Sequence, residues 1–136
     1  MPNYVQNRLV IKHEDRSQLE KLKDAAEHGE LFNVILPCPE GLRGTVVGHF
    51  SNPEKQAAVL KRQEDNYATY GYSSDYEWCV ENWGCKWEAN LESVPVLNDE
   101  ELLLEFLTPW APPTGIFKAL REQDYAVWYD WTWENM

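Results

Sequence analysis

Residues 5–13 read as a strand. Val5, Asn7, Leu9 and Ile11 fall on one side of an extended chain, and Gln6, Arg8, Val10 and Lys12 on the other. A period of two belongs to a strand with one buried face, not to a helix. The pattern returns three times. Over 87–94, Trp87, Ala89, Leu91 and Ser93 oppose Glu88, Asn90 and Glu92; over 101–108, Leu102, Leu104 and Phe106 point inward; residues 125–133 alternate as a final strand. Asn98-Asp99 marks a turn, which makes the two middle strands a hairpin.

Helical signals fill the gaps. Ser17 and Glu20 have capping-box spacing, with Asp15 a rival cap, and Gly29 suits a left-handed stop. Between them Leu19, Leu22 and Ala26 form an apolar stripe over roughly residues 16–28. Asn52 followed by Pro53 opens a second helix, expected to run to about Asp65. Pro112-Pro113 starts a third, with Ile116, Phe117 and Leu120 buried. Between the first two, Phe32, Val34, Ile35 and Leu36 are followed by Pro37, Pro39, Gly41 and Gly44, which break regular structure. Residues 67–76 read as a Tyr- and Ser-rich loop or short helix.

Without its long insertion, the order is β-α-β-β-α-β, the split βαβ or ferredoxin-like plan of an α+β domain: an antiparallel sheet with two helices on one face. The insertion, at about 30–85 and partly helical, is expected at a sheet edge or over the open face. No repeat, low-complexity stretch or Gly/Ser linker divides the chain, so residues 1–136 are expected to form a single domain.

Composition narrows the function classes. Of 136 residues 43% are hydrophobic, and seven Trp and seven Tyr supply large apolar surfaces, which argues against disorder. The formal net charge of −11 is unevenly spread. Residues 1–62 carry nine Lys/Arg against eight Asp/Glu; residues 63–136 carry three (Lys86, Lys118 and Arg121) against fifteen. Backbone binding to nucleic acid runs on Lys and Arg neutralising phosphate, so the acidic half disfavours it and favours a basic partner. No apolar run approaches the roughly 20 residues that cross a bilayer, and Met1-Pro2-Asn3-Tyr4 lacks the basic start of a secretory signal. The expected compartment is the cytoplasm. Cys38, Cys79 and Cys85 are odd in number and lack framework spacing, so they are expected as reduced, partly buried thiols rather than a Cys79–Cys85 disulfide. With His13, His28 and His49 scattered, no zinc-ligand set is legible.

On the ferredoxin-like plan Glu88, Asn90, Glu92 and Glu105 share the sheet face away from the helices, and Asp130 joins them. Carboxylates two apart on a strand are ~6.8 Å apart, close to the spacing of successive phosphates. With Glu64, Asp65, Asp75, Glu77, Asp99, Glu100 and Glu101 nearby in sequence, such a face would imitate a nucleic-acid backbone and fill the basic channel of a nuclease or guide complex. The ordinary alternative is a solvated face, partly neutralised by Arg8 and Lys12.

Two aromatic stretches carry a double reading. Trp78, Glu81, Asn82, Trp83 and Trp87 suit a ligand or partner surface. They equally suit the lead-in to a strand, with Trp83 and Trp87 in the core, Gly84 turning the chain and Asn82 or Glu81 satisfying buried backbone. The second is favoured because Trp supplies buried area first. Trp110, before Ala111-Pro112-Pro113, either lines a peptide groove or, as favoured, wedges under the following helix. No catalytic, cofactor or metal residue is assigned. Glu88 and Glu92 lack a third ligand for Mg²⁺, Cys79 with His49 is only a nominal nucleophile and base, and Gly41, Gly44 and Gly48 precede no Lys-Ser/Thr.

The run Trp78-Cys79-Val80-Glu81-Asn82-Trp83-Gly84-Cys85-Lys86-Trp87 resembles the YubB-type family of small phage- and plasmid-borne proteins with a ferredoxin-like domain. Asn7-Arg8-Leu9 and Phe106-Leu107-Thr108-Pro109-Trp110-Ala111-Pro112-Pro113 carry the same resemblance, which spans most of the chain. Family members often continue past the last strand with a Tyr/Glu/Gly segment, which this sequence lacks. The resemblance implies a fold and a mobile-element setting in a host bacterial cytoplasm, not a reaction.

The function expected first is therefore a non-enzymatic acidic binding protein of a phage or other mobile element. It would dock on a basic host protein or nucleoprotein complex and inhibit a defence or nucleic-acid-processing machine, in the manner of anti-restriction or anti-CRISPR proteins. A nucleotide or single-strand nucleic-acid binding module comes second, and a small metal-dependent hydrolase third.

Overall fold

In the computed structural model, which describes residues 3–134, β1 (Tyr4–Lys12) is the central strand. Val5, Leu9 and Ile11 are completely buried along one face of it, as the alternation requires. It pairs antiparallel with β4 (Glu101–Pro109) on one side and with β5 (Ala126–Trp133) on the other. Beyond β4 lie β2 (Asn90–Leu91) and β3 (Val96–Leu97), both antiparallel to β4, so five strands make an open sheet in the order β2-β4-β1-β5 with β3 beside β2's partner.

β2 and β3 are two pieces of one edge. Leu91 faces Phe106 and Val96 faces Leu103, so residues 92–95 lie opposite only 104 and 105. Glu92 continues the pairing by donating its N–H to Glu105 O at 2.9 Å, and residues 93–95 bulge out of the ladder.

Five helices accompany the sheet: α1 (Arg16–Glu27), α2 (Leu31–Ile35), α3 (Pro53–Tyr70), α4 (Asp75–Asn82) and α5 (Thr114–Glu122). Asp15, not Ser17, caps α1, accepting the Ser17 N–H at 2.9 Å, and Gly29 follows the helix at φ 71°. Leu19, Leu22 and Ala26 of α1 and Ile116, Phe117 and Leu120 of α5 meet Leu9, Ile11, Leu102, Leu104 and Phe106 in one apolar cluster.

The insertion does not lie at an edge or over the open face. Phe32, Leu42, Trp78 and Trp83 belong to that same cluster, so α2 and α4 join the helix layer. Trp83 stacks edge-on against Phe32 and Trp78 and donates its indole N–H to Leu36 O at 2.8 Å. α3 is peripheral. It buries only Val59 and Asn66 and is tied to the preceding loop by Arg62, Gln63 and Asn66. It also runs beyond Asp65 to Tyr70, where Gly71 ends it at φ 81°. No helix is long and apolar enough to cross a membrane among the described residues.

Candidate functional site

The side of the sheet opposite the helices displays four cross-strand rows. Register and alternation place Asn90, Leu107, Gln6 and Thr132 in one row; Glu92, Glu105, Arg8 and Asp130 in the next; then Val96, Leu103, Val10 and Trp128; and last Glu101, Lys12 and Ala126. Adjacent strands lie about 4.8 Å apart, so each row is a line of neighbours. A charged row thus runs directly beside an apolar one.

The charged row has Arg8 directly opposite both Glu105 and Asp130. All four of its side chains are exposed, and no ion pair closes around Arg8 among the described residues. Together with Gln6, Ser93 and Thr132 the row lines a shallow groove of about 400 Å³. In the last row Lys12 and Glu101 pair at 3.6 Å. Trp128, the aromatic residue of the apolar row, is 53% exposed.

Of the residues expected on this face, Asn90, Glu92, Glu105 and Asp130 are brought together and Glu88 is not. Glu88 precedes β2 and turns towards the helix layer, where it accepts the N–H groups of Phe32 and Asn33 at 2.7 and 2.8 Å. α2 begins without a side-chain cap of its own, and the distant carboxylate satisfies two of its free donors. Burial pushes the Glu88 carboxyl above the ordinary glutamate range, against the opposing pull of those two bonds, and the charge of Glu30 adds to the rise. The expected run of acids at two-residue spacing along one strand is therefore absent. The remaining acids lie across strands and are interrupted by Arg8.

The Trp-rich block is a helix and turn, not the start of a strand. Trp78 and Trp83 are buried, whereas Trp87, expected in the core, is half exposed with Lys86 Nζ 4.2 Å from its ring centre. Trp78 turns inward from α4 and Trp83 from the position that ends it, whereas Trp87 lies beyond the turn at Gly84. Asn82 donates to Trp78 O at 2.9 Å, and Glu81 is exposed. Gly84, at φ 97°, makes the expected turn. Trp110 does not wedge under α5. It sits in the left-handed region at φ 70°, 52% exposed, with its N–H bonded to Asn3 O at 2.8 Å.

A second recess, of about 290 Å³, lies between α2 and α4 and is lined by Glu30, Cys38, Arg43, Asp75, Cys79 and Glu88 among others. All three cysteines are free and buried. Burial pushes the Cys79 and Cys85 thiols up to about 12 and raises Cys38 as well. Such thiols stay protonated and poorly nucleophilic at neutral pH. His49 lies on an exposed loop, and the groups acting on Cys79 are Cys38, Asp75 and Cys85. Among the described residues no group of three or more His, Cys, Asp or Glu side chains gathers to hold a metal ion.

Sequence reasoning did not single out Gly115. It donates its N–H to Trp83 O at 3.0 Å, and a side chain there would overlap the carbonyl of Asn82. It is the contact at which α5 docks against the end of α4. Compared with family models, curated proteins and solved structures, the chain matches none.

Proposed function

We propose that the chain is a non-enzymatic binding protein that docks a basic protein surface on its open sheet face. Glu92, Glu105 and Asp130 would receive Lys or Arg side chains, while Trp128 and its row bury apolar surface beside them. The juxtaposition of a charged row and an apolar row on the face left free by the helices carries this reading. It is the anatomy of a protein interface, with an aromatic anchor and flanking charges. Arg8 interrupts the acids, which favours a protein contact over imitation of evenly spaced phosphates. One aromatic flanked by acids is also a poor platform for stacked bases.

The fold assigned with this function is ferredoxin-like, with β2 and β3 standing for one interrupted strand. The strand order and the all-antiparallel pairing support it. The likeness of the Trp78–Trp87 run to YubB-type proteins points the same way, and their mobile-element setting makes a basic host protein or nucleoprotein complex the expected target, with inhibition of a host defence the expected outcome.

The test is affinity capture from a bacterial host lysate at low and high salt, followed by binding measurements on the partner recovered. Glu92→Lys combined with Glu105→Lys should abolish capture, Trp128→Ala should weaken it at least tenfold, and Arg8→Ala should leave it intact or strengthen it. A captured partner indifferent to both the double charge reversal and Trp128→Ala would overturn the proposal, as would its absence at low salt.

A further inference from the structure

β5 is the long edge of the sheet. It runs for eight residues and, among the described residues, pairs only with β1. Glu134 donates its N–H to Tyr4 O at 3.0 Å, which continues the β1–β5 register and fixes the phase of the ladder. Even-numbered residues of β5 therefore turn their backbone groups to β1, and Val127, Tyr129, Trp131 and Trp133 turn theirs outward. The side chain of Asp130 accepts the outward N–H of Trp131 at 2.9 Å, as expected if that N–H has no strand partner. Unpaired edges of this length are normally blunted with several charged side chains, especially Lys, or with Pro or a bulge, and Asp130 is the single charge of this one. β5, Ala-Val-Trp-Tyr-Asp-Trp-Thr-Trp, contains no Lys, Pro or bulge.

We infer that β5 pairs antiparallel with β5 of a second copy of this chain, with Tyr129 on the two-fold axis. The register follows from two requirements. Outward-facing residues must oppose each other, so the axis must pass through a residue rather than between two. Like charges must not meet within the strand. Within β5, an axis at Val127 overlaps only residues 126–128, one at Trp128 only 126–130 and one at Trp131 only 129–133, while an axis at Asp130 sets the two Asp130 side chains against each other. An axis at Tyr129 pairs residues 126–132 of the strand without a like-charge contact: Val127 opposes Trp131, Trp128 opposes Asp130, and Ala126 opposes Thr132. The half-exposed Trp128 and Trp131 both gain cover. This isologous pairing joins two sheets into one, and it is self-complementary, which favours a second copy over a foreign peptide. Asp124 and Glu134 meet just outside the paired segment, and each copy carries a net charge of −11. Association should therefore strengthen as salt rises, the reverse of capture by a basic partner.

Sedimentation equilibrium over a range of protein concentrations, at low and high salt, tests the pairing. The unmodified chain should pass from one copy to two as concentration rises, at lower concentration in high salt. Ala126→Lys with Thr132→Lys opposes like charges at both ends of the pair and should leave single copies. Ala126→Lys with Thr132→Glu opposes unlike charges in the same register and should restore the pair. Both positions are exposed, so the fold tolerates these changes. A single-copy mass at every concentration would overturn the inference, as would a dimer that neither double variant disturbs. Docking is read from the reversals at Glu92 and Glu105, which lie off β5, and pairing from the mass of the chain alone, so the two proposals fail separately.

Discussion

Glu88 accepts the backbone N–H groups of both Phe32 and Asn33, bridging 56 and 55 residues of sequence to cap a helix of only five residues. The contact ties the lead-in of β2 to α2, and it has a measurable pH signature. Because burial raises its carboxyl pKa, the folded chain holds the Glu88 proton to higher pH than the unfolded chain does. Its contribution to stability is thus greatest below the ordinary glutamate range and is lost as pH rises through the raised value. Glu88→Gln removes this slope. It also places an amide N–H₂ against one of the two donors and should cost about 1–3 kcal/mol. Urea unfolding at several pH values reads both effects; an unchanged slope would show that Glu88 is not the titrating group.

Gly115→Ala should destabilise by about 1–3 kcal/mol, since the added methyl meets a backbone carbonyl that cannot rotate away. Thermal unfolding measures the loss. A neutral result would mean that α5 and α4 sit further apart than described.

Asn52 accepts the N–H groups of Glu54 and Lys55 at 2.9 and 3.1 Å. Asn52→Ala should cost about 0.5–2 kcal/mol. Because α3 buries only Val59 and Asn66, the damage should be local. Hydrogen exchange should quicken across α3 while β1 and β4 keep their protection; uniform loss would contradict a peripheral helix.

Buried and protonated, Cys38, Cys79 and Cys85 should react slowly with an aromatic disulfide reagent at pH 8 in the native protein and rapidly in denaturant. A fast stoichiometric reaction of the native chain at any of the three would contradict their burial.

Much of the sheet is legible in the sequence because its residues answer to a single local rule. Leu102, Leu104 and Phe106 point inward as alternation dictates, and Ile116, Phe117 and Leu120 do so after the proline start. Asn52 caps as its type suggests. The candidate face was half legible: Asn90, Glu92, Glu105 and Asp130 follow strand parity, but the apolar row beside them depends on register between strands, which no single stretch encodes. Glu88 escapes the strand reading because the parity it shares in sequence begins in the fold only at Asn90. Its partners, Phe32 and Asn33, lie in a helix too short to show a period of 3.6. Trp87 is expected inside on side-chain size and Trp110 on the prolines that start the next helix; a left-handed backbone at Trp110 and a turn before Trp87 leave both exposed.

With residues 93–95 thrown out of the β2–β3 margin, that side of the sheet offers no unbroken row of donors and acceptors among the described residues, where β5 alone does. A subunit with one adhesive side can add a neighbour once and then has nothing left to present, whereas a filament requires two such sides. Growth by strand addition therefore terminates after a single step. A chain with so aromatic an edge is guarded against fibre formation at its opposite margin, by three residues on the far side of β4 and β1.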